Sequence, residues 1–238
     1  MDYIPKRPRD GASDEPVWEN DGVPEVPAVR IVLIHGAATT SGIWRAVIPF
    51  LGDFQVDCPN RRSTGDMDTE IADLHALCAG AVVVGVSGGA TLGLELAARG
   101  VPMKAAVLHE PAAGSLAPGL LAHVAAGLAR DGVAGFGTAL YGSAWTPSDA
   151  PADDDAVRRD FAMFGKFEPS APQPGSGRLL LTVGEFSPPS RFEAVQALSH
   201  KLGIPWRVLD GSGHAAHLEA PGALTELVRR HLRSAESY

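Results

Sequence analysis

The residues best able to do chemistry are a serine between glycines, Gly85-Val86-Ser87-Gly88-Gly89, and a histidine between small residues near the chain's end, Gly211-Ser212-Gly213-His214. The first matches G-x-S-x-G, in which a sharp strand-to-helix turn pushes a serine hydroxyl out of the fold. Glycines suit such a turn because strand and helix nearly touch there, and the serine between them takes a strained backbone. A serine hydroxyl is a poor nucleophile until a base removes its proton, and that base needs a third group to hold its tautomer. Of the eight histidines, His214 is the candidate base, with His217 as its rival. His75, His123, His200 and His231 fall in helical segments and are expected at the surface.

These residues need a scaffold. The run 81–86 (Ala-Val-Val-Val-Gly-Val) is apolar and β-branched, which predicts a parallel strand buried on both faces. Helix formers from 91 to 98 follow, so backbone N–H groups and a positive dipole end would face the serine. Further strands are expected at 29–34, 54–58, 104–108, 178–183 and 206–209, with helices at 44–51, 68–77, 191–202 and 223–234. This alternation implies βαβ units and a mostly parallel sheet flanked by helices. From 113 to 177 no strand pattern occurs, and 117–130, 133–144 and 153–167 look helical. Residues 1–27 carry five prolines and no hydrophobic periodicity, and are expected to form an irregular arm that Trp18 could pin to the body.

The His35-Gly36-Ala37-Ala38 loop after the first strand, the Gly-x-Ser-x-Gly turn and the terminal Gly-Ser-Gly-His214 segment, in that order, resemble the α/β-hydrolase superfamily over roughly residues 29 to 234. The resemblance implies an α/β-hydrolase core at 28–112 and 178–238, with a helical cap at 113–177. It implies an oxyanion hole formed by the N–H groups of Ala37 and Gly88. The superfamily's usual first strands are not evident in the proline-rich arm, so a sheet shortened at that edge is expected. The usual acid stands in Gly-x-x-Asp, which here reads Gly184-Glu185-Phe186-Ser187 and leaves Ser187, which cannot serve. Glu110, after the strand that follows the serine's strand, is a location some members use for the acid. Glu185 is the alternative acid.

At 238 residues the chain is one large domain, or one domain with an insertion. Its net charge of −8 and lack of a Lys/Arg cluster argue against a nucleic-acid partner. No apolar stretch reaches membrane-spanning length and no signal-peptide core is visible, so a cytoplasmic protein is expected. Cys58 and Cys78 have no metal-ligand spacing and read as reduced thiols. The reading is a cofactor-free, metal-free serine hydrolase cleaving a small, largely apolar ester or lactone. Two alternatives use the same scaffold: a lyase or a cofactor-free oxygen or peracid enzyme, and a non-catalytic ligand-binding relic.

Overall fold

The computed structural model describes residues 29–233, so the irregular arm expected at 1–27, with Trp18 and any strands preceding the first one here, lies outside the described residues. Six strands form one sheet: β1 (Arg30–Ile34), β2 (Gln55–Asp57), β3 (Val82–Val86), β4 (Ala105–His109), β5 (Arg178–Gly184) and β6 (Trp206–Leu209). Their spatial order is β2-β1-β3-β4-β5-β6, and every neighbouring pair is parallel. The helices are α1 (Met67–Cys78), α2 (Gly88–Ala98), α3 (Ala122–Tyr141), α4 (Asp154–Phe164), α5 (Pro189–Leu202), α6 (Ala216–Glu219) and α7 (Pro221–Arg233).

The unbroken apolar strands are explained by a core on each face of the sheet. Along β1, Val32 and Ile34 face one core while Ile31 and Leu33 face the other, following the two-residue period of a strand. The first core takes in α1, α2 and α5 together with apolar residues of 113–177. The second is closed by Ile43, Trp44 and the Leu224, Leu227 and Val228 face of α7.

The helix expected at 44–51 is instead two 3₁₀ turns, Ser41–Ala46 and Ile48–Leu51. Pro49 accounts for this, because it has no N–H to donate one turn back and crowds the preceding carbonyl. The two helices expected at 117–130 and 133–144 run together as α3, broken by non-helical backbone at Asp131 and Gly132. Between β4 and β5 only helical segments occur among the described residues.

The 113–177 segment is fastened to the sheet's carboxyl edge by polar contacts. Arg61, on the loop after β2, is 9% exposed and pairs with Glu70 of α1 at 3.0 Å and Asp160 of α4 at 2.5 Å. Ser63 donates to the same Asp160 carboxylate at 3.1 Å, and Arg159 donates to the Ser63 carbonyl at 2.9 Å. A buried cation of this kind is tolerated only when its donors are matched by charge, which two carboxylates achieve.

Candidate active site

The serine turn is built by exclusion. Ser87 joins β3 directly to α2 with φ +58° and ψ −121°, a conformation that non-glycine residues seldom adopt. A Cβ on Gly85 would stand 2.5 Å from the Gly89 backbone, and one on Gly89 would overlap the carbonyl oxygen of Ile34. Ser87 is nearly buried, and its side chain borders a cavity of about 30 Å³.

Ala37 and Gly88 border the same cavity. The Gly88 N–H belongs to the first turn of α2, where no intrahelical acceptor exists. The loop carrying Ala37 is held from several sides. His35 Nδ1–H donates to the Gly36 carbonyl at 3.0 Å, while its Nε2 accepts from the Arg61 backbone N–H at 3.1 Å. The carbonyls of Ala37 and Ala38 accept from Tyr141 Oη at 2.9 Å and Trp145 Nε1 at 2.8 Å, both side chains from the 113–177 segment. His35 is therefore a structural residue, buried and neutral, with its pKa pushed down to about 3 by burial and by Arg61.

His214 lies on the loop after β6, and its Nδ1–H donates to Glu110 Oε2 at 2.7 Å. Its Nε2 is buried and has no partner among the described residues. Glu110 directly follows β4, with φ +47°. Its Oε1 accepts from the Gly184 N–H at 2.9 Å and from the Ser187 hydroxyl. Ser187, at the position where the resemblance places an acid, thus donates to the Glu110 carboxylate instead. Glu185 is exposed, and its carboxylate accepts from the Gly211 N–H at 2.8 Å, whereas it is Glu110 that His214 bonds.

Burial opposes the Glu110 charge, yet His214, His109 and Arg191 together hold its carboxyl well below the usual carboxylate range. Burial, assisted by Arg191, pushes the His214 pKa down to about 4, so the imidazole is neutral at pH 7. His217 is also buried and neutral, but its ring packs against Trp44 at 5.2 Å and edge-on to Tyr141 at 5.8 Å. Its Nδ1 has no hydrogen-bond partner among the described residues.

His109 fixes the His214 loop. Its Nε2–H donates to the Gly213 carbonyl at 3.0 Å and its Nδ1 accepts from the Thr182 hydroxyl at 2.9 Å, the tautomer following from the carbonyl's inability to donate. The Gly213 N–H in turn donates to Glu219 at 2.6 Å. Of the histidines expected at the surface, His75 and His123 are exposed. His200 is exposed as well, whereas His231 is half-buried and its Nε2 donates to the Arg178 carbonyl at 3.1 Å.

Tyr141 and Arg191 also reach the site, and nothing in the sequence singled out either. The Tyr141 ring stacks on His214 at 5.6 Å, and its hydroxyl and the Ser87 Cβ both flank Gly36, where an added Cβ would meet them at 2.6 and 3.1 Å. Burial raises the phenol pKa, and the Ser87 side chain pulls it partly back. One tyrosine therefore approaches both Ser87 and His214. Among the described residues, no group of three His, Cys, Asp or Glu side chains is arranged to hold a metal ion. None of the helices there is long and apolar enough to cross a membrane.

The fold has many relatives of known structure. A thermophilic esterase from Thermogutta terrifontis, solved with malate bound, superposes with a TM-score of 0.68 at 21% identity, covering 89% of this chain and 92% of its own. A pyrethroid hydrolase from Sphingobium faniae gives 0.65 at 14%, with 88% and 99% covered. Naproxen esterase (carboxylesterase NP) from Bacillus subtilis gives 0.61 at 19%, with 87% and 84% covered. No curated protein is significantly similar in sequence. A model of the Alpha/beta hydrolase family matches residues 31–227, most of the chain, and the chain belongs to that family.

Proposed function

We propose that the protein is a serine hydrolase that cleaves a carboxylic ester or lactone through an acyl-enzyme on Ser87. The observation that carries this reading is the buried pair of His214 Nδ1–H and Glu110 Oε2 at 2.7 Å, with the opposite imidazole nitrogen left without a partner among the described residues. Such a pair fixes the tautomer in which Nε2 can accept a proton. In the proposed reaction Ser87 Oγ attacks the acyl carbon while its proton passes to His214 Nε2. The N–H groups of Ala37 and Gly88 take the developing oxyanion, an interaction typically worth roughly 10²–10³ in rate per donor. The imidazolium then gives its proton to the leaving alkoxide, and water releases the acid by the reverse exchange of protons. No cofactor takes part.

Residues 113–177 act as a cap over this site. The Phe164 ring lies against Gly88, so closely that a Cβ there would come within 2.5 Å of it. The cavity of about 30 Å³ at Ser87 holds little more than one water. Ala112, Leu121, Phe161 and Phe164 line both this cavity and a groove of about 450 Å³, and side chains here must move to admit a small, apolar ester.

The assignment of the acid is tested by comparing Glu110→Gln with Glu185→Gln in steady-state hydrolysis of a short p-nitrophenyl ester. Loss of the orienting carboxylate should lower kcat by about 10³–10⁴-fold in Glu110→Gln. Glu185→Gln, which retains an acceptor for Gly211, should stay within about twofold of the parent, since surface changes of this kind are nearly neutral. Equal, mild effects would overturn the assignment.

A further inference from the structure

One buried charge in the site acts on Glu110 and His214 through its field but touches no reacting atom of the proposed reaction. Arg191 is 4% exposed and borders the cavity beside Ser87, Thr91, Ala112 and Leu121. Its Nε stands 3.5 Å from Glu110 Oε2, beyond a good N–H···O distance. Glu110 does not need it as a donor, because Oε1 already accepts from Gly184 and Ser187 and Oε2 from His214. The four N–H donors on the terminal nitrogens of Arg191 make no hydrogen bond among the described residues.

The location makes this charge expensive. Arg191 occupies the first turn of α5, where the helix dipole disfavours a cation. Burial alone lowers its pKa, and Glu110 only partly offsets that. A guanidinium kept under these conditions with its fork unfilled suits a planar anion, since carboxylate binds such a fork through two parallel hydrogen bonds. Most other cavity walls are apolar, among them Val124, Phe136, Leu140 and Phe161. One guanidinium in an apolar pocket matches a single carboxylate rather than a phosphate dianion.

We infer that Arg191 is a substrate-binding residue, and that the preferred ester carries a free carboxylate joined by a short apolar chain to the carbonyl that Ser87 attacks. This rests on the hydrolase reading and narrows its substrate class. The reacting carbonyl would lie at Ala37 and Gly88 and the carboxylate at Arg191, all three of which border the cavity that must widen to admit the ester.

The test uses matched substrates near pH 7.5 in a pH-stat. Monomethyl glutarate and adipate are compared with methyl pentanoate and hexanoate, and the acetate ester of 4-hydroxybutanoate with butyl acetate. In at least one pairing the charged ester should have the higher kcat/KM, by about 10- to 100-fold, the range expected for a charge-assisted hydrogen-bonded pair. Arg191→Gln should collapse that ratio, and Arg191→Lys should keep part of it. Ratios near one in every wild-type pairing would overturn the inference while leaving the hydrolase reading intact, and they need no variant to fold. If no ester is cleaved and Ser87 resists a fluorophosphonate, the hydrolase reading fails. Calorimetric titration with glutarate then decides the carboxylate site: binding lost in folded Arg191→Gln supports it, and no binding to wild type overturns it.

Discussion

In the proposed reaction His214 takes a proton from Ser87 only while its Nε2 is unprotonated, so the environment of one imidazole would set the lower pH limit of activity. Burial is the largest influence on it and lowers its pKa, Arg191 lowers it further, and the Glu110 hydrogen bond pulls the other way without prevailing. The balance is a value of about 4 against an ordinary 6.5. As pH falls the group becomes charged and the base is lost, so kcat/KM for a neutral ester should fall on the acid side with a midpoint near pH 4. A profile measured from pH 3.5 to 8, with enzyme stability checked at each point, tests this; a midpoint near 6.5 would mean that the imidazole is neither buried nor influenced as described. The three residues of the proposed relay stand out in the sequence because each sits in a local pattern: glycines around Ser87, a Gly-flanked loop at His214, and a strand end at Glu110. Ser187 helped by what it lacks, since a serine at the usual acid position directed attention to Glu110. Tyr141 and Arg191 were not legible. Each reads as an ordinary helix residue, and its place in the site depends on contacts with segments far away in the chain.

The turn from β3 into α2 depends on space rather than on attraction. Gly89 lies against the Ile34 carbonyl of β1, so any side chain there forces the helix away from the sheet and moves Ser87 with it. Gly89→Ala should destabilise the fold by about 1–3 kcal/mol, the usual range for overpacking, and should reduce activity further. Gly52→Ala is the control: its φ is −63° and an added Cβ meets nothing within 4 Å. Urea denaturation midpoints compare the two, and equal midpoints would contradict the packing described here. The strands were legible because each is a continuous apolar run covered on both faces. The first helix was misread because a hydrophobic pattern alone does not register what Pro49 removes from the backbone. The break in α3 could be located from sequence, since Asp131-Gly132 interrupts two apolar patterns, but nothing local told that the two halves join into one element.

Across the whole molecule, burial of neutral histidines makes the fold sensitive to acid. His35 and His217 have pKa values lowered to about 3 and His214 to about 4, in each case mainly by burial. Below pH 6.5 the unfolded chain binds protons at these sites that the folded protein refuses, so stability falls as pH falls. Each histidine contributes about 1.4 kcal/mol per pH unit once the pH is well under 6.5. Glu110, held below its ordinary value, adds a further loss below about pH 4.5, where the unfolded carboxyl takes up its proton. Denaturant titrations from pH 7.5 to 4.5 should therefore show a steady decline with two to three protons taken up on unfolding, estimated from these three sites; a flat profile would refute it. The catalytic proposal itself joins residues from the middle and the end of the chain into one relay, and its most direct test is mass spectrometry after treatment with a fluorophosphonate. A single, stoichiometric phosphonyl adduct on Ser87, slowed severely in His214→Gln, is the expected result. An unmodified protein, or an adduct that forms equally well in Ser87→Ala, would contradict it.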